Sequence, residues 1–323
     1  MSSKLLSKYG SIRVCAILLG VLPAWHLPGQ MGKEALASSV QRGIELVESG
    51  RCQQALPLLK SGLPKISGKD LKYHARMAIV RCAMALDEEQ TAVDTLLLLK
   101  RDSPSDPEVL YIATHFFSEL GMRAAQELQT QAPSSYQAQR LQAESLESQG
   151  KGEEAAAIYR KILEANPEVP GIHYRLGQIA LDQAGPDGST EDAKREFQKE
   201  IEVDPSNASA EFVLGELARR AGDWSNAIGH FSRATKLDAG FSEAYLALGM
   251  SLASSGRLTE AASPLESYVK MQPEDPAGHY QLALVYARTG NKDGAAHQMA
   301  LQAQAASRAT SATDNAEGHS IHP

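Results

Sequence analysis

The sequence predicts an all-α protein of tandem helix–turn–helix repeats, and three observations carry that expectation. The phrases "HYRLG" (His173–Gly177) and "HYQLA" (His279–Ala283) start 106 residues apart, three periods of 34 plus four. An alanine that follows a turn recurs as Ala155, Ala193, Ala227, Ala261 and Ala295, in steps of 38, 34, 34 and 34. Aromatic residues are only 6% of the 323 residues while hydrophobic ones are 43%, so the apolar content is aliphatic and alanine-rich, which favours helix over strand.

Taken in chain order, residues 1–29 stand apart. Lys4, Lys8 and Arg13 precede the apolar run "VCAILLGVL" (Val14–Leu22), and the first acidic residue is Glu34. A basic start, a short apolar core and a turn-forming exit are the pattern of a secretory signal peptide. Spanning a bilayer takes about 20 apolar residues, more than this run supplies, although retention as a short anchor is the alternative. Cleavage after Ala24, Gly29 or Ala37 is compatible with the small residues there. The expected location is therefore outside the cytoplasm, in the periplasm or extracellular envelope.

Three weaker copies of the period follow. "GIELVESGRCQQALPLL" (Gly43–Leu59) gives a unit near 36–69, with Gly50 at the turn and Ala55 after it. "YHARMAIVRCAMALDEEQTAVDTLLLLKRDSP" (Tyr73–Pro104) gives 73–106, and a shorter copy, truncated in its second helix, gives 107–135. Five clear units run 136–169, 170–207, 208–241, 242–275 and 276–309. The four extra residues of the 38-residue step fall in "DQAGPDGSTED" (Asp182–Asp192), a Gly/Pro-rich turn. Each first helix carries a Leu-small pair (Leu176-Gly177, Leu214-Gly215, Leu248-Gly249, Leu282-Ala283), and a glycine near unit position 15 (Gly150, Gly222, Gly256, Gly290) ends it. The second helix presents the aligned alanine and a large residue four on (Tyr159, Phe197, Phe231, Leu265, Met299), a spacing that puts both on one face. Pro167, Pro205 and Pro273 stop it. The tail 310–323 is small, polar and aperiodic, and is expected to be disordered.

This grammar resembles the tetratricopeptide repeat (TPR), a 34-residue helix–turn–helix unit, over roughly residues 36–309 and about eight units. The resemblance implies a right-handed superhelical solenoid acting as a non-catalytic protein-interaction scaffold that takes a partner segment in a concave groove. In the family the first helices line that groove, with unit positions 2, 5, 9 and 12 inward. Position 5 gives Met77, Tyr111, Arg140, Tyr174, Phe212, Leu246 and Tyr280; position 9 gives Arg81, His115, Glu144, Gln178, Glu216, Met250 and Leu284. The partner-binding set is taken as Tyr111, Arg140, Tyr174, Gln178, Phe212, Glu216 and Tyr280, because buried aromatic anchors dominate interfaces. Packing of these rings within the array is the competing reading. A carboxylate clamp of the kind known in the family needs Asn at positions 6 or 9, and no unit has one.

The chemistry of enzymes is not written here. GxxxxGK[ST], HExxH, CxxC and GxSxG are all absent, and "GMSLA" (Gly249–Ala253) lies inside a repeat helix with no strand before it. His173 and His279 share a unit position three units apart, too far to ligate one metal, so neither a metal nor a cofactor is expected. A net charge of −7 opposes nucleic-acid binding. The expected partner is thus a protein or peptide, with membrane contact only through a retained N-terminal segment. An envelope accessory subunit or cryptic enzyme is the alternative function, and an RNA-binding helical repeat a more distant one. Cys52 and Cys82 remain once the leader's Cys15 is removed, and in an oxidising compartment they form a disulfide candidate; two buried thiols are the other possibility.

Overall fold

The computed structural model describes residues 28–185 and 190–318, and among these every regular element is helical. The expected leader thus lies outside the described residues, apart from its last two, which begin the first helix. None of the described helices is long and apolar enough to cross a membrane. The chain divides into two compact units after Ala124.

The first unit holds α1 (Pro28–Glu48), α2 (Cys52–Gly62), α3 (Lys69–Ala85), α4 (Glu89–Asp102) and most of α5 (Pro107–Gln131). α1 and α2 turn back on each other at Gly50 (φ 74°), and α3 and α4 at Asp87 (φ 57°), which occupies the place glycine holds elsewhere. An aspartate tolerates that left-handed backbone better than a bulky residue would. Val40, Leu56 and Leu59 close a core with Ala75 and Ile79 of α3, and a second core joins Val80, Leu96 and Leu99 to Val109, Ala113 and Phe116 of α5. Cys52 opens α2 and Cys82 lies in α3; their Cα atoms are 5.0 Å apart and a disulfide joins them.

The segment expected as a truncated helix pair, 107–135, is instead the single helix α5. Gly121 sits at unit position 15, where glycine ends the helix in other units, yet it is absent from the glycines with positive φ. The physical reason is length. Breaking at Gly121 would leave about ten residues before Pro133, too few to repay the cost of nucleating a second helix. The strong helix formers "MRAAQEL" (Met122–Leu128) continue the existing one instead.

The second unit contains α6 (Tyr136–Ser148), α7 (Gly152–Ala165), α8 (Ile172–Ala184), α9 (Glu191–Val203), α10 (Ala208–Arg220), α11 (Trp224–Leu237), α12 (Ser242–Ser254), α13 (Leu258–Met271), α14 (Pro276–Arg288) and α15 (Lys292–Gly318). Gly150, Gly222, Gly256 and Gly290 turn with φ between 74° and 85°. The helices α7, α9 and α13 stop two residues before Pro167, Pro205 and Pro273, since a proline pushes its predecessor out of the α region. The four-residue insertion falls between α8 and α9, where residues 186–189 lie outside the described set.

The glycines of the Leu-Gly pairs let the second helix approach closely. A Cβ on Gly177 would meet the Phe197 ring at 2.8 Å, one on Gly215 the Phe231 ring at 2.6 Å, and one on Gly249 the Leu265 side chain at 2.5 Å. Tyr159, Phe197, Phe231 and Leu265 are accordingly fully buried. The tail is a correction: α15 runs on to Gly318, so residues 310–318 are helical rather than disordered, and only 319–323 lie outside the described residues. Alanine at 309, 312 and 316 gives this polar stretch enough helix propensity to extend a helix already nucleated.

Candidate interaction wall on the first helices

Inside the second unit the first helix of each pair is α6, α8, α10, α12 or α14, and α12 lies directly against both α10 and α14. Residues four apart on a helix share a face. Positions 5, 9 and 13 therefore form a row along each helix: Phe212, Glu216 and Arg220 on α10; Leu246, Met250 and Ser254 on α12; Tyr280, Leu284 and Arg288 on α14. The other two rows are Arg140, Glu144 and Ser148 on α6, and Tyr174, Gln178 and Asp182 on α8.

The structure divides the expected binding residues into three kinds. Tyr280 is 44% exposed and Leu284 41%, whereas the neighbouring Leu282, Ala283 and Val285 are buried. Tyr174 and Phe212 are only half exposed. The Tyr174 ring meets Phe197 edge-on at 5.4 Å, and Phe212 lies 5.6 Å from Phe231 and 4.9 Å from Phe241. These two rings are anchored in the repeat stack and offer one side to solvent. Tyr111 belongs to the first unit, where it is 65% exposed and packs edge-on against His115 at 4.4 Å.

The polar members are tied to their own neighbours. Arg140 donates from Nε to Glu144 at 2.9 Å and reaches the Pro170 carbonyl at 3.4 Å, bridging two repeats. Arg219 grips Glu216 with two bonds of 3.0 and 2.7 Å, and that carboxylate raises the Arg219 pKa above its usual value. Gln178 donates to the Tyr174 hydroxyl at 3.4 Å and helps line a cavity of about 610 Å³ with Glu147, Arg175, Asp182 and Phe197. Arg140 and Arg219 are thus already engaged, while Arg220 has no carboxylate partner among the described residues.

Sequence reasoning passed over a polar pairing that holds these helices in place. Position 4 of the first helix faces the third residue after the aligned alanine: His173 Nδ1 lies 2.6 Å from Glu196, His230 Nδ1 2.6 Å from Glu211, and His279 Nδ1 2.6 Å from Gln298. The pair keeps its place while histidine and its acceptor exchange helices. Its only sequence signal is the recurrence of polar residues at both positions. The hydrogen bond from His173, with help from Lys199, holds the Glu196 carboxyl at about 2 against the opposing effect of burial. Burial would raise Glu211, but hydrogen bonds from Arg233 and His230 outweigh it and lower its pKa. Glu200 is fully buried and accepts from the Gly171 and Tyr174 backbone amides at 2.8 and 3.1 Å, capping the start of α8, and from the Asn207 side chain at 3.0 Å. Asn207, which opens a formal glycosylation sequon, also caps α10 by accepting from Ala210. Among the described residues no cluster of three or more His, Cys, Asp or Glu is arranged to hold a metal.

Two family models described as tetratricopeptide repeat match the chain, one at residues 136–179 and the other at 174–240 and 246–311. Among solved structures, a crystal structure of MamA is 22% identical, covering 52% of this chain and 96% of that chain at a TM-score of 0.47. YrrB, described as a TPR protein with an unusual peptide-binding site, is 22% identical, covering 56% and 92% at 0.48. MamA from Desulfovibrio magneticus RS-1 is 16% identical, covering 54% and 96% at 0.46. No curated protein matches.

Proposed function

The chain belongs to the tetratricopeptide repeat family, whose arrays are protein-interaction scaffolds, and from that premise we propose that its second unit binds a partner segment along the rows of the first helices without catalysing a reaction. The observation that carries the reading is the exposure of Tyr280 and Leu284 on a helix whose Leu282, Ala283 and Val285 are buried and whose Tyr286 is half-buried. A side chain already packed in the stack can add little contact, whereas an exposed aromatic and leucine four residues apart supply an anchor surface. The basic, apolar leader and the cysteine pair support export to the cell envelope.

The test is Leu284→Asp. A charge placed on the wall should abolish capture of the partner that wild type recovers from an envelope fraction, while leaving the melting temperature within about 2 °C because the site is solvent-facing. Unchanged capture by a folded Leu284→Asp protein contradicts the groove.

A further inference from the structure

Resting on the groove function proposed above, we infer that the partner presents an acidic amphipathic segment, its apolar side chains on α12 and α14 and its carboxylates against Arg220 and Arg288. The apolar part of the wall is the exposed Tyr280 and Leu284 on α14, flanked by Leu246 and Met250 on α12, which are half-buried, Leu246 against the core; they form two rungs of i,i+4 neighbours on adjacent helices. Phe212 extends it on α10. The rows end at Arg220, Ser254 and Arg288, all exposed.

The two arginines differ from most others in this unit. Arg140, Arg219, Arg233 and Arg257 each grip a carboxylate within 3.0 Å, whereas Arg220 and Arg288 have no carboxylate partner among the described residues. A chain of net charge −7 has acids to spare for pairing, and it leaves these two cations facing solvent at one edge of the apolar surface. The helix dipole favours a cation in a last turn. It does not account for both cations falling eight residues beyond Phe212 and Tyr280, in the rows that carry the apolar wall. The opposite ends of the three helices hold Ser209, Glu243 and Ala277 and no cation, so the charge is one-sided. With helices packed at 8–10 Å, Arg220 and Arg288 are roughly 18 Å apart along the wall. Acids about six residues apart in an extended segment span that length. Complementary charge of this kind sets specificity and association rate more than raw affinity.

The experiment uses the full chain and three synthetic peptides with one shared Leu/Tyr pattern and Glu, Gln or Lys at every other position, titrated by fluorescence anisotropy at low and high salt. The Glu peptide should bind tightest and weaken with salt. Arg220→Glu combined with Arg288→Glu should weaken it roughly tenfold and strengthen the Lys peptide by a similar factor. Equal binding of all three peptides, lost with Leu284→Asp, would keep the groove and overturn the acidic partner. A Glu peptide indifferent to the double reversal would also overturn it. Binding of none of the three would remove the groove function and this inference together.

Discussion

Phe212 and Tyr280 hold the same position in two repeats, yet one ring touches two other aromatic rings and the other faces solvent. Truncation separates them. Phe212→Ala should cost about 2–3 kcal/mol because it opens a cavity beside Phe231 and Phe241, while Tyr280→Ala should cost under about 1 kcal/mol. Paired denaturant melts of the two variants check this, and equal losses would contradict it. The repeat register puts both rings at position 5 but cannot rank their burial. That depends on Phe241, which lies in the loop between α11 and α12 rather than in the repeat signature. Glu196 makes a second prediction. Its folded pKa of about 2 is below the usual carboxylate value, so its contribution to stability is present above roughly pH 4.5 and is lost as pH falls toward 2. Glu196→Gln should therefore be less stable than wild type near neutral pH, with the gap closing in acid. A gap that stays constant across that range would exclude the His173–Glu196 bond as its source.

Glycine at unit position 15 shows how one letter can mean two things in two elements. Gly256 turns with φ 85° between α12 and α13, whereas Gly121 lies within α5, where an added Cβ would meet nothing within 4 Å. Gly121→Ala should stabilise the protein by about 0.5–1 kcal/mol by removing glycine from a helix interior. Gly256→Ala should destabilise it by at least as much, since alanine resists the left-handed region. Thermal melts giving the same sign for both would contradict the single-helix reading of 107–131. The periodic signal made the paired helices from α6 to α15 legible. It misled at α5 because helix continuation is decided by the length left before Pro133, not by the glycine itself. At α2 and α3 the Cys52–Cys82 bridge closes a loop of 30 residues. On the chain-entropy account, reduction should lower stability by about 3–4 kcal/mol. Mass spectrometry of the unreduced protein should find neither thiol alkylatable; alkylation of both would contradict the bridge.

At the scale of the whole molecule, the tandem design was the most legible feature, because a 34-residue period imposes the same packing demands on every unit. The interaction wall was legible in register and not in chemistry. Positions 5 and 9 follow from helical geometry, but the engagement of Arg140 and Arg219 and the openness of Arg220 and Arg288 depend on which neighbouring side chains bond them. The central claim is that partners meet the rows of the first helices in the second unit. Site-specific photo-crosslinking tests it most directly, with a photoreactive residue at Tyr280 or at Lys161, an exposed position on the second helix α7. A discrete partner adduct from position 280, absent from position 161 and lost with Leu284→Asp, is the predicted result. An adduct formed equally from both positions, or from 161 alone, would contradict the account.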